Sequence, residues 1–296
     1  MPSIQTRRKR KLGQLLGAIR KRAGKTEVDF ANLTRKSQTT LSRIENGYTL
    51  PGWNDLGAML TFYEASDDER ADAEAMWTDA AGDAKRVAHP MAYNVKARAF
   101  TRAEVDAVSS RNIEPLGVPG LLQTVDYASA VRKSAHRFHT ATVDENRIRV
   151  ARASRNKIIQ GANALQLHAL LDEAVIRREV GGREVMAAQL RHLLALAKQP
   201  NITIQLIPFT AGSYGTMSGG GSTILGFEDD EDPDAVYLEY AGGGEWVENG
   251  DDVQRFVASF YDVANEAALT PDGTAELIDR HVTYLEDRLH EDVAHE

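Results

Sequence analysis

Within two helical turns the chain carries Lys36, Ser37, Gln38, Thr39, Ser42 and Arg43. These are hydrogen-bonding groups whose types suit base edges. A Gln amide pairs bidentately with adenine and an Arg guanidinium with guanine, while Ser and Thr adapt to either. Cations nearby in sequence, Arg35 and Lys36 and the upstream run Arg7–Lys11 that includes Arg10 and Lys11, suit phosphates, which position a protein on a duplex without reading its sequence. The expected assignment is Gln38, Thr39 and Arg43 to base readout and Ser42 to a base or phosphate. Arg10, Lys11, Arg35 and Lys36 are expected on the phosphate backbone. Ser37 is expected to cap the helix that presents the readers.

Other groups carry weaker chemistry. Asp172, Glu173 and Glu239 could form a carboxylate cluster for a metal or for acid–base work, but a buried polar network or edge ion pairs suit them better. Gly219–Gly221 and Gly242–Gly244 lack the Lys-Ser/Thr that follows a phosphate loop and read as hairpin turns. His290 and His295 are five apart, which puts them on different helix faces, so a zinc-protease pattern fails. Ser213, Ser218 and Ser222 lack a nucleophile elbow. The chain has no cysteine, which removes disulfides, thiolate metal sites and thiol catalysis together. No enzyme activity and no cofactor are expected.

The elements that must position the readers follow from periodicity. Lys9–Ala23 spaces Leu12, Leu15, Leu16 and Ile19 at i, i+3, i+4 and i+7, and Gly24 stops it. Thr26 and Asp29 resemble a capping box opening a short helix with Val28, Phe30, Ala31 and Leu33 as its apolar face. The next helix opens at Ser37, turns Leu41 and Ile44 inward, and closes at Gly47 and Pro51. Two more amphipathic helices follow, one with Trp53, Leu56, Met59, Leu60 and Tyr63, the other over Asp67–Ala81 burying Met76 and Trp77. A bracing helix followed closely by a second whose N-terminal side chains point outward is the arrangement that enters a major groove.

Charge supports that reading. Residues 1–50 hold twelve Lys/Arg against three Asp/Glu, while the other 246 hold 23 against 40, within an overall charge of −8. Phosphate affinity follows local positive charge, since distant negative charge is screened within ~10 Å at 0.1 M salt. No apolar run approaches the ~20 residues of a membrane span and no secretory leader is expected, which places the protein in the cytoplasm.

The stretch Ser37-Gln-Thr-Thr-Leu-Ser-Arg-Ile-Glu-Asn-Gly47 resembles the recognition helix of the xenobiotic-response-element, or Cro/repressor-like, helix-turn-helix family. The resemblance implies that Gln38, Thr39 and Arg43 face DNA and that Glu45 is structural. It also exposes two departures. Glu27 stands where the family commonly has a Gln that approaches a phosphate, and a carboxylate there repels. Arg35 and Lys36 replace a turn glycine and an apolar contact.

Behind this head, residues 85–101 read as a linker and residues 102–296 as a second domain, with the head ending near 84. Val105, Ala107 and Ile113 suggest a strand, Val125–Lys133 a helix, and residues 144–160 a basic helix whose cations suit a solvated face better than a partner. Pro119–Leu122 reads as core. Strands are expected at Leu165–Leu171, Asn201–Ile207, Ser222–Phe227, Ala235–Tyr240 and Glu245–Glu248. Helices are expected at Val185–Lys198, Asp251–Ala268 and Thr274–His290. The late strands succeed one another without crossover helices, so the expected fold is an all-α head joined to an α+β domain with a largely antiparallel sheet. Val118-Pro-Gly-Leu-Leu-Gln-Thr124, Leu171-Asp-Glu-Ala174, Met186–Leu193, Ile204–Pro208 and Val236-Tyr-Leu-Glu239 together resemble the C-terminal domain of actinobacterial regulators of the WhiJ type. That resemblance implies a transcriptional regulator, in a family that often works with a small partner protein in an antitoxin-like or developmental pairing. The expected partners are double-stranded DNA, a second copy of the chain, and a small protein or small-molecule effector. The alternative is an antitoxin-like interaction module in which DNA binding is secondary or lost.

Overall fold

The computed structural model of the protein describes residues 7–34, 36–86, 95–134, 150, 155–215, 217–228, 234–240 and 243–294. The chain divides into two compact units, Met1–Ala103 and Glu104–Glu296.

Among the described residues, five helices lie wholly within the first unit: α1 (Arg7–Arg22), α2 (Glu27–Thr34), α3 (Gln38–Glu45), α4 (Trp53–Phe62) and α5 (Asp67–Arg86). The apolar stripe of α1 (Leu12, Leu16 and Ile19) is buried with Phe30, Leu41, Ile44, Leu56, Met59, Leu60 and Tyr63, as the i, i+3, i+4 spacing requires. Local hydrogen bonds set the helix ends. The Thr26 backbone N–H donates to the Asp29 carboxylate at 2.9 Å, and the Asp29 N–H donates to the Thr26 hydroxyl at 3.1 Å. This is the reciprocal box expected from the two residues, and hydrogen bonds from the Thr26 side chain and backbone hold the Asp29 carboxyl below its ordinary range. Val28 departs from the expected apolar face and is 47% exposed, while the Leu33 side chain lies outside the described residues. Met76 and Trp77 are only partly buried, and Ala73 is the fully buried α5 residue of this core. The Trp77 indole N–H donates to the Pro51 carbonyl at 2.7 Å, which pins the approach to α4.

α6 (Val95–Asp106) contains the division between the units. It takes in the end of the stretch expected as a linker, of which residues 87–94 lie outside those described. Val105 therefore sits on a helix, Ala107 lies beyond its end, and the strand begins later than expected, at Ser109. A short apolar run that alternates also fits a helix of the right phase, so periodicity alone misplaces it.

The second unit is a six-stranded mixed sheet with helices on both faces. Its strands are β1 (Ser109–Glu114), β2 (Gln166–Asp172), β3 (Ile202–Ile207), β4 (Ser222–Gly226), β5 (Ala235–Tyr240) and β6 (Gly243–Val247), ordered β3-β2-β1-β4-β5-β6. The α+β class holds, and three of the five pairings are antiparallel: β1–β4, β4–β5 and β5–β6. The other two, β1–β2 and β2–β3, are parallel. Parallel neighbours need long crossovers. These are supplied by the segment containing α7 (Val125–Ser134) and by α8 (Glu173–Arg177) with α9 (Arg183–Leu196). Of the basic helix expected over 144–160, residues 144–149 and 151–154 lie outside those described, and Asn156–Ile159 is a 3₁₀ turn. The chain closes with α10 (Gly250–Asp262), a π-helical turn over Val263–Ala267, and α11 (Pro271–Ala294).

Strand alternation divides the side chains between the two faces. Leu167, Ala169 and Leu171 of β2 and Ile202, Ile204 and Leu206 of β3 join one core with α7, α9 and α11 residues such as Tyr127, Leu190 and Ile278. Ile113, Leu170, Ile207, Ile224 and Val236 join the opposite core with Val253 and Phe260 of α10. On the first face the Leu167 row runs through Ser110 of β1 to the buried Leu225 of β4 and Ala235 of β5. The next row along the strands, from Ala169, is more polar, with Asn112, Thr223 and Tyr237.

Candidate nucleic-acid interface

α3 is braced from two sides. Gly13 of α1 packs so closely that a Cβ there would collide with the carbonyls of Ile44 and Glu45, and a Cβ on Gly47 would lie 2.6 Å from the Arg10 Cα. Gly47 also has φ +71°, a conformation that favours glycine. Arg20 closes the contact with two hydrogen bonds to Glu45, at 2.6 and 2.8 Å, with both side chains nearly buried. Glu45 in turn raises the Arg20 guanidinium. The structural part expected of Glu45 is thus played as a bidentate clamp, and it fixes α3 at its C-terminal end.

At the other end Ser37 adopts an extended conformation, and its hydroxyl accepts from the Thr40 N–H at 3.2 Å. With Leu41 and Ile44 buried, the helix period leaves Gln38, Thr39 and Arg43 exposed. Those three are the residues assigned to base readout. Ser42 is half-buried, and its hydroxyl lies 3.3 Å from the Asn46 side-chain amide, which also donates to the Ser42 carbonyl at 2.7 Å.

The phosphate candidates are distributed differently. Lys36 is ion-paired with Asp55 of α4 at 2.9 Å. Arg10 and Lys11 are half-buried on α1, Arg10 lying against Gly47. Arg35 lies outside the described residues. Glu27 opens α2, and its carboxylate accepts a long 3.4 Å hydrogen bond from the Gln38 side-chain amide. That contact, which spacing alone does not reveal, ties Gln38, expected to read bases, to the residue that departs from the family pattern.

The carboxylates singled out in the sequence do not assemble. Asp172 accepts from the Ala174 N–H at 2.8 Å, capping α8, and from the Tyr214 hydroxyl at 3.0 Å. Glu173 binds Arg177 at 2.7 Å and accepts from the Phe209 N–H at 2.9 Å. Glu239 lies on β5, three strands from β2, so the three-residue cluster is replaced by two separate hydrogen-bond sets. Among the described residues no group of three or more His, Cys, Asp or Glu could hold a metal ion. No helix among them is long and apolar enough to cross a membrane. The carboxylate that sequence reasoning missed is Glu114. Burial and the Glu239 charge push it up to about 8.

Family models match two parts of the chain. A domain of unknown function, DUF5753, covers residues 97–280, and a helix-turn-helix domain covers residues 11–73. No curated protein and no solved structure matches the chain significantly.

Proposed function

The chain belongs to the DUF5753 family and carries a helix-turn-helix that supports a DNA-binding regulator, and we propose that it is a cytoplasmic, sequence-specific transcriptional regulator acting as a homodimer. The observation that carries this reading is the exposure of Gln38, Thr39 and Arg43 along one face of α3 while both helix ends are fixed, by the Ser37 cap and the Arg20–Glu45 clamp. A rigid helix with outward amide and guanidinium groups suits direct readout in a major groove. Lys36, Ser42, Arg10, Lys11 and Arg35 are assigned to the phosphate backbone. For Lys36 this requires exchanging Asp55 for a phosphate, a modest cost for a part-exposed pair. One α3 reads few base pairs, and a two-fold copy doubles the site.

In this reading the second unit adjusts DNA binding in response to a small partner protein or a small ligand, as its likeness to WhiJ-type regulators implies. A second reading, an antitoxin-like interaction module with little DNA specificity, draws on Glu27, whose carboxylate faces the reading helix and holds Gln38. Selection of duplexes from a random pool by the full chain separates the two. The regulator yields an enriched pseudo-palindrome with half-sites about one helical turn apart. A pool that stays random after repeated rounds overturns it in favour of the interaction module.

A further inference from the structure

The first turns of α2, α3 and α4 are satisfied in different ways. α2 opens on the Thr26–Asp29 box, and α3 on the Ser37 hydroxyl, which caps it. α4 opens on Gly52, and no side chain caps it there. The acid of that first turn, Asp55, stands three residues after the cap, the place from which a carboxylate reaches back to the open N–H groups of a helix start. A Cβ on Gly52 would lie 3.2 Å from the Asp55 Oδ2, so the carboxylate is already beside the cap. Its hydrogen bond goes elsewhere. The Lys36 ammonium, from the residue just before the α3 cap, donates to the same oxygen at 2.9 Å.

Asp55 therefore has two places to rest, and Lys36 has two anions to choose between, Asp55 and a DNA phosphate. Both side chains are about one-third exposed, 33% for Lys36 and 36% for Asp55, so the pair is worth little in itself and a well-placed phosphate replaces it. The released carboxylate is not stranded, because the uncapped N–H groups and the positive dipole end of α4 receive it. While the pair is closed, its two charges cancel beyond contact, and Lys36 adds nothing to the general attraction of a duplex. We propose that Asp55 is a positioning residue for sequence recognition: it silences Lys36 on DNA out of register and yields it only to the phosphate that the recognised site places against it.

The distinction arises from what holds the duplex still. Phosphate attraction without base contacts leaves DNA free to slide, so no one phosphate stays opposite Lys36 to displace Asp55. With Gln38 and Arg43 paired to bases, the backbone is fixed relative to α3 and one phosphate stays within reach. The exchange follows base readout, and the cation counts toward the specific complex alone. This inference rests on the regulator reading proposed above.

Salt titration of DNA binding by the full chain reads the exchange, because each phosphate neutralised by a cation contributes about −0.9 to the slope of log K against log salt. Fluorescence anisotropy gives the slopes for a duplex selected from a random pool and for its scrambled counterpart. Asp55→Asn steepens the slope on the scrambled duplex by about 0.9 and raises affinity for it about threefold or more at low salt. On the selected duplex, where Lys36 is already engaged, the slope stays the same, so discrimination falls. Asp55→Glu, which keeps the carboxylate, keeps the shallow slope on scrambled DNA, and Asp55→Asn/Lys36→Gln returns that slope to the value of the unmodified chain. Where Asp55→Asn fails to fold, Lys36→Gln carries the test, its loss of about 0.9 falling on the selected duplex. Equal changes on both duplexes in either single variant, or none on either, make the pair a plain bridge between α3 and α4 and overturn the proposal. An unmodified chain that prefers no duplex removes the regulator and the proposal with it, whereas a clear preference with slopes indifferent to Asp55 removes the proposal alone.

Discussion

The helical head and the sheet treat charge in opposite ways. In the head, Arg20 and Glu45 enter the interior together, joined by two hydrogen bonds, and their pairing fixes α3, the helix proposed to read bases. On the sheet, the half-buried Glu114 lies against Gly221, and burial together with the Glu239 charge pushes its carboxyl up to about 8. A satisfied pair rigidifies what it touches, while a carboxyl placed near a like charge responds to pH. The Arg20 and Glu45 charges of the head hold a shape, and the carboxyl on the sheet changes charge near neutrality.

Substitutions at these charges break or sharpen the contrast. Glu45→Ala leaves the Arg20 guanidinium nearly buried and unpaired, and lowers the stability of the head by about 3 kcal/mol in denaturant unfolding. A cost below ~1 kcal/mol makes the clamp an ordinary surface pair. Glu114→Gln acts in the other direction, with a pH signature. The folded carboxyl sits at about 8 against about 4.3 in the unfolded chain. The native state therefore holds the extra proton between those values, and the stability Glu114 contributes is full below the lower one and lost as pH rises through the upper. The melting temperature of the unmodified chain relative to Glu114→Gln falls from pH 5 to pH 8 and levels off beyond; a flat difference contradicts the raised carboxyl.

Smaller effects concern the reading helix. Ser37→Ala removes the N-cap of α3 and costs about 1 kcal/mol in the same unfolding measurement. Glu27→Gln costs α2 a few tenths of a kcal/mol, because a carboxylate in the first turn complements the helix dipole. It also tightens DNA binding about threefold as repulsion of a phosphate disappears. Unchanged affinity places Glu27 away from the phosphate backbone.

The head was legible because its determinants are local. Thr26 with Asp29, Ser37, Leu41, Ile44 and Gly47 each act within a turn or two of sequence, so spacing alone places the helices and the exposed face of α3. Partner choice was not legible. Lys36 finds Asp55 and Gln38 finds Glu27 only once the helices pack. In the sheet unit most strands were readable from alternation, but the parallel half was not foreseen, because it depends on where the chain re-enters the sheet after each crossover. The setting of Glu114 was invisible for the same reason. Glu114, Gly221 and Glu239 are brought together by register across three strands, and the sequence pattern pointed instead to Asp172 and Glu173, which the fold commits to a helix cap and an ion pair.

The central claim is that Gln38 and Arg43 read bases from a fixed helix. Fluorescence anisotropy on the selected duplex and a scrambled one tests it directly, comparing the unmodified chain with Gln38→Ala/Arg43→Ala at two salt concentrations. Each bidentate base pairing is worth about 1–3 kcal/mol of discrimination. The account predicts that the double variant loses most of the preference for the selected site, about a hundredfold or more, while non-specific affinity and its salt dependence change little. An unchanged preference in the double variant would contradict it.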